Sequence, residues 1–252
     1  MKINKIFGAS VIVLMIFAVL MIFVNHNYSN SNSSSNSLKT EAGIHDYSGE
    51  SIQYGVMPVG KSEYKSLGTV DLNGVKANLV TLKSKILFVD VSEKIFYDPE
   101  NSLPYKTERT NSGLWINEYR TEEYDQKKFT VVIKKFQGEK LVKEQILKAD
   151  GPIQNMNTLL FYLRKQPDLK IGWHSAAKII DELKLLKLDL KLLSIDEIIV
   201  PGGKFQAYHF KSVPDMFEIW IDKNSPRIPL KIKIKGIVSC TIVMKGYSLN
   251  NK

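Results

Sequence analysis

From residue 49 onward the chain alternates. Val75, Ala77 and Leu79 face one way in VKANLVTLK, Phe129, Val131 and Ile133 do so in KFTVVIKKF, and Ile232 and Ile234 stand between Lys231, Lys233 and Lys235. A period of two sends successive side chains to opposite faces of a strand, so these runs call for a sheet with one apolar and one polar face. Turn chemistry interrupts them at ~10-residue intervals: Pro58 to Gly60, Asn73-Gly74, Asp98-Pro99, Gly113, Gly138, Pro201 to Gly203 and Ser225-Pro226. The expected fold is mostly β, a strongly curved antiparallel sheet forming a half-open or closed barrel.

One segment breaks the period. After Asp150-Gly151-Pro152, the residues Ile153, Met156, Leu159, Leu160 and Leu163 recur at spacings of three and four, the stripe of an amphipathic helix over 153–166. Asn155 or Asn157 suits its N-cap, and Pro167 should end it. A lone helix in a β domain is expected to cover the apolar face of the sheet. The stretch KIIDELKLLKLDLKLLSIDEI fits helix or strand in its first half; from about Leu185 its leucines alternate with Lys187, Asp189 and Lys191 and read as a strand.

The chain also echoes itself. KIFYDPENSLPYKTE at 94–108 and EIWIDKNSPRIPLKIK at 218–233 share an aromatic strand, an Asp at its end, an Asn-Ser turn and a Pro near the start of the next strand. Asp accepts backbone N–H groups two residues on, and Pro suits a strand's first residue, where no ladder donor is needed. Both read as hairpins of one sheet.

The N-terminus has a different composition. Lys2 and Lys5 precede Ile6 to Val24, an uninterrupted apolar run that reaches the ~20 residues needed to cross a bilayer core. No small-residue cleavage site follows closely, so 6–24 reads as a transmembrane signal anchor, with residues 1–5 cytoplasmic by the positive-inside rule. The polar tract NHNYSNSNSSSNS makes 25–43 a flexible tether, leaving 44–252 as an extracytoplasmic domain, in the periplasm or outside the cell. The net charge is +9, or +7 without Lys2 and Lys5, a surplus that suits anionic headgroups or acidic envelope polymers and equally a solvated surface arising from a Lys-rich composition. Cys240 is the only cysteine, which excludes an intrachain disulfide, and its apolar neighbours make it a core thiol.

The segments DPENSLPYKTE, DGPIQNMNTLLFYLRKQPDLKIG, IIVPGGKFQAYHF and EIWIDKNSPRIPLKIKIKG, with the earlier SIQYGVMPVGKSEY, resemble in order the bacterial envelope family called domain of unknown function 3108. The resemblance covers about residues 48–248. It implies a bent sheet similar in outline to lipoprotein carriers of the LolA and LolB type, whose concave apolar face holds acyl chains beneath a helical lid. A lipid or other apolar envelope component is then the implied ligand, though fold alone does not set function.

Residue chemistry adds little toward an enzyme. His26, His45, His174 and His209 show no metal-ligand spacing, and there is no CxxC, HExxH, GxSxG or complete phosphate loop. No metal, cofactor or nucleic acid is expected. Asp222 with Asp98 or Asp150 would make an acid–base couple, but each has its own turn to stabilise. The expected ligand-binding residues are Arg164, which could grip an anionic headgroup at the barrel mouth, its helix neighbour Tyr162, and the aromatics Trp115, Trp173 and Trp220. Three function classes follow: a membrane-anchored lipid-binding domain, a scaffold recruiting an envelope protein partner through a packed core and exposed surface, and a hydrolase of envelope polymers.

Overall fold

The computed structural model describes residues 47–181, 183–235 and 239–249. The apolar run 6–24 and the tether 25–43 lie outside them. Among the described residues no helix is long and apolar enough to cross a membrane.

The elements follow as β1 (Glu50–Met57), β2 (Gly60–Leu72), β3 (Val75–Ile86), β4 (Val89–Tyr97), β5 (Pro104–Gly113), β6 (Ile116–Asp125), β7 (Thr130–Gln137), β8 (Lys140–Lys148), α1 (Met156–Lys165), β9 (His174–Asp181), β10 (Lys184–Val200), β11 (Gly203–Val213), β12 (Phe217–Asp222), β13 (Pro229–Ile234) and β14 (Cys240–Leu249). The alternation produces the sheet it predicts. All 14 strands join one antiparallel sheet of order β8-β7-β6-β5-β4-β3-β2-β1-β14-β13-β12-β11-β10-β9. It consists of two meanders, β1 to β8 and β9 to β14, joined where Glu50 faces Leu249 and Met57 faces Thr241. The turn residues act as expected: Asn73 and Gly74 both take positive φ (54° and 83°), the two-residue turn whose twist matches the strands it connects.

The stretch left open between helix and strand is extended in both halves. Lys178 to Asp181 end β9 and pair with Lys184 to Lys187 of β10, because the Lys-Leu alternation extends further back than leucine spacing alone indicates.

The sheet does not close. Its edges are β8 and β9, and the chain connecting them fills the seam. Gln154 donates its backbone N–H to Lys178 O (2.7 Å) and accepts from Ile180 N (3.2 Å), a short parallel bridge to β9. Asp150 pairs with Lys178 and Lys187, both at 3.1 Å, and Gln145 of β8 donates to Leu183 O. Beneath these bonds Tyr124, Val131 and Ile133 of one edge pack with Ile153 and Ile180. Side chains thus replace the missing ladder.

Helix α1 starts at Asn155, whose Oδ1 accepts Thr158 N (2.8 Å) while Thr158 Oγ1 accepts Asn155 N (3.2 Å). This reciprocal box satisfies two of the donors a helix start leaves unpaired. The helix covers the concave face by entering it. Leu159 and Leu163 pack on Ile179, Leu190, Phe210 and Ile219, whereas Phe161 belongs to the cluster of Ile52, Tyr64, Ile95 and Tyr97 and stacks on Tyr97 at 4.7 Å. Burial of such side chains contributes ~1.5–3 kcal/mol each, so the helix is the keystone of the domain.

Candidate functional site

Alternating hairpin directions give the curled sheet two rims. One gathers the turns at 58–59, 87–88, 114–115 and 138–139; the other gathers those at 73–74, 98–103, 126–129 and 223–228.

The second rim is sealed by the C-terminus of α1. Arg164 is fully buried and meets Glu50 through two bonds, Nη1 to Oε2 at 2.8 Å and Nη2 to Oε1 at 2.5 Å. Its guanidinium also donates to Pro226 O (3.1 Å) and lies 3.9 Å from the centre of the Tyr47 ring. Burial by itself would lower the Arg164 pKa; the adjacent Glu50 carboxylate outweighs burial and raises it. A buried bidentate pair of this kind has its bonding capacity used internally, so Arg164 is not available to grip a headgroup at a mouth.

The two echoing turns prove to be the jaws that hold this seal. In each, the Asp returns its N–H across the turn, Asp98 to Leu103 O and Asp222 to Ile228 O, both at 2.8 Å. Each carboxylate accepts the N–H two residues on, from Glu100 (2.7 Å) and from Asn224 (2.9 Å). Each turn uses a positive φ, at Ser102 (62°) and Arg227 (58°). Pro99 O then accepts Lys165 Nζ (2.5 Å), Pro226 O accepts Arg164, and Arg227 donates to Arg164 O and Gln166 O. Asp222 is buried, which pushes its carboxyl up to about 6 against the opposing Asn224 hydrogen bonds. Asp98, Asp150 and Asp222 stand in three separate local networks and are not brought together.

Toward the other rim the interior is not filled. A cavity of about 210 Å³ lies between Leu160 and Phe161 of α1 and the concave faces of β1 to β4, β13 and β14, lined mostly by aliphatic side chains such as Ile52, Leu82, Ile95, Ile232 and Ile242, with Ser62 and Ser84 among them and the paired Arg164 also lining it. The Tyr64 hydroxyl, whose residue also lines it, is buried with no partner among the described residues. Cys240 sits half-buried at its edge, a correction to the core thiol expected from sequence, and burial pushes its thiol pKa up. Ile86 and Ile234, which line the cavity, end their strands at this rim, the open rim of the sheet, so the space extends toward it.

Next to this apolar sector the concave face is charged. Glu93 accepts from Arg109 Nη2 (2.9 Å) and Asn157 Nδ2 (3.3 Å), and Glu122 accepts from Thr107 (3.0 Å), Arg120 and Tyr124. Asn157 belongs to both sectors, since it also lines the cavity. No motif marks this group; only the register, with Arg109 facing Glu93 on one side and Arg120 on the other, assembles it.

The remaining expected site residues are dispersed. Trp115 is an exposed turn residue far from the interior. Trp173 is half-buried, edge-on to Phe210 at 5.8 Å, within the β9–β12 core. Tyr162 bonds Ser175 (3.1 Å) and lines a separate cleft of about 590 Å³ with Asn101, Leu103, Pro152 and Ala177. Trp220 lies on the strand face opposite Ile219 and Ile221, which pack toward α1, yet it is buried (6% exposed) and belongs to the cluster of Ile52, Tyr54, Ala207 and Leu230. It stacks on His209 (4.2 Å, 11°), donates Nε1 to Asp196 (3.0 Å), and has the Lys231 and Lys233 ammoniums 4.9 and 5.3 Å from its ring centre. Asp196 and Glu218 lie 3.3 and 3.5 Å from the His209 nitrogens, carboxylate neighbours that sequence could not locate.

No curated protein matches the chain. Among solved structures it is similar to a beta-barrel-like protein of domain of unknown function DUF1849 from Brucella abortus, at 7% identity and TM-score 0.49, over 81% of this chain and 98% of that one. The family described as protein of unknown function (DUF3108) matches residues 94–238, which take in both echoing turns, the seam, α1 and the β10–β13 wall, and the chain belongs to that family.

Proposed function

We propose that the domain binds the apolar chain of a lipid or other envelope amphiphile in the cavity between α1 and the concave sheet, without catalysing a reaction on it. The observation that carries this reading is the cavity itself, about 210 Å³, lined mostly by aliphatic side chains and extending toward one rim of a fold whose other rim is sealed. Its size exceeds the ~150 Å³ of a dry apolar cavity that accepts benzene and falls below the ~300 Å³ at which pockets for whole drug-sized ligands begin. One chain segment fits such a space. The polar end of the ligand would then face Asn157, Glu93 and Arg109 beside the opening. By the sequence reading, the domain is tethered outside the cytoplasmic membrane through 6–24 and works within reach of its linker.

Native mass spectrometry and lipid extraction of the purified chain test this. A bound amphiphile in the wild type that is lost in Leu160→Trp, which fills the cavity, supports the reading; a wild-type chain free of any amphiphile after gentle extraction contradicts it.

A second reading draws on a different observation: Leu159, Phe161, Leu163 and Arg164 occupy much of the interior. A scaffold for an envelope protein partner needs a rigid core of this kind and no ligand. Crosslinking in membranes that recovers one stoichiometric protein and no lipid would favour it.

A further inference from the structure

Large apolar side chains are unevenly placed on the hairpin turns. Those of the open rim carry Met57 and Val59 (42% and 56% exposed), Phe88 (70%), and Leu114 with Trp115 (72% and 77%). The sealed rim's turns at 73–74, 98–103, 126–129 and 223–228 carry no exposed large apolar side chain at their tips; Val75 (46% exposed) and Ile199 (79%) lie in the strands beside that rim. An exposed aromatic or Leu at a turn tip costs solvation and does nothing for the fold. Three consecutive same-side hairpins carrying them form a row of apolar points, and such rows mark contact surfaces.

The charge beside this row indicates what it contacts. A cleft of about 660 Å³ next to the first two tips is lined by Lys61, Lys83, Lys85 and Lys245. Asp90 and Glu63 also line it, but Asp90 lies 3.9 Å from Lys85, and Glu63 pairs with Lys65 (2.9 Å). Lys61, Lys83 and Lys245 have no carboxylate within ion-pair distance among the described residues. We propose that the open rim docks on an anionic bilayer surface, with Phe88, Leu114 and Trp115 at the headgroup–acyl boundary and these lysines over the headgroups. Separate apolar tips at the ends of hairpins, flanked by unpaired cations, match a fluid interface that each tip can enter independently; a protein partner would need a continuous, close-packed patch. Trp is the side chain best suited to that boundary, with an apolar body and a polar N–H. Docking in this orientation places the cavity opening against the lipid. The proposal stands whether or not the cavity is occupied.

The test uses the full chain reconstituted in vesicles of phosphatidylcholine with phosphatidylglycerol, some carrying brominated acyl chains as contact quenchers. The difference between wild-type and Trp115→Phe emission isolates Trp115. It is expected to be quenched about twofold or more, less so in phosphatidylcholine alone or in high salt, where screening weakens the lysine contribution. A tryptophan placed at the sealed rim, Lys127→Trp in the Trp115→Phe background, should remain unquenched. Equal quenching of wild type and Trp115→Phe overturns the proposal. So does a Trp115 shift that depends on protein concentration without vesicles, which would assign the rim to a second copy of the chain.

Discussion

The two rims are built from the same hairpins and end differently. At the sealed rim the Asp98 and Asp222 turns place Pro99 O and Pro226 O against Lys165 and Arg164, and a buried Arg164–Glu50 pair locks the helix end to β1. At the open rim the turns carry Phe88, Leu114 and Trp115 to solvent, and the mostly aliphatic cavity extends toward Ile86 and Ile234. One end of the curl invests its polar groups in internal bonds; the other leaves apolar groups unspent. The contrast teaches that the bonds holding the helix end lie at one end of this fold and the proposed binding space at the other, so substitutions at the two rims should produce different losses.

The largest effect is expected at the sealed end. Arg164→Ala leaves Glu50 buried without its partner and should cost ~3–5 kcal/mol in denaturant unfolding. The double replacement Glu50→Gln with Arg164→Met should recover much of that, since it removes both charges together. If Arg164→Ala unfolds with wild-type stability, the seal is not what holds this rim.

The next effect is pH-dependent. Burial lifts the Asp222 carboxyl to about 6, above its ordinary value, so the folded state holds this proton more tightly than the unfolded chain. Its contribution to stability is complete below about pH 4 and is lost as pH rises through about 6. Asp222→Asn keeps an oxygen for the Asn224 N–H and needs no proton. It should therefore be more stable than wild type at pH 7.5, by on the order of 1–2 kcal/mol, and lose the advantage near pH 4. Unfolding midpoints across pH 4–8 check the sign, and a destabilised Asp222→Asn at pH 7.5 would contradict it.

The smallest effect on stability belongs to the open rim. Phe88→Ser and Leu114→Ser remove exposed side chains and should shift unfolding by no more than ~0.5 kcal/mol, while reducing vesicle contact. A loss of several kcal/mol would mean that these tips serve the fold and would erase the contrast between the rims.

The strands were legible because period two and the turn residues are local signals. The helix was legible too, through the Asn155 cap and the leucine stripe, although Ile153 belongs to the seam and not to the helix. Arg164 shows where reading from sequence stops. Its place at the helix end was visible, but Glu50 lies 114 positions away, and only the pairing of β1 with β14 and the insertion of α1 bring them together. Trp220 and Trp115 make a related point: tryptophan chemistry suits a cavity, but which face of a strand or which turn carries it depends on register. The apolar turn tips were present in the sequence as Phe88 and Leu114-Trp115. They gained meaning only when the meander put alternate turns on one rim.

Cys240 offers the most direct test, because it lines the cavity edge and is the only cysteine in the chain. Its rate of maleimide labelling would be measured in the full chain at pH 8, with and without a medium-chain fatty acid, in wild type and in Leu160→Trp. Saturating fatty acid should slow labelling about fivefold or more in wild type. No further slowing is expected in Leu160→Trp, where the indole already occupies the space. A wild-type rate unchanged at saturating fatty acid would contradict an apolar chain entering between α1 and the sheet.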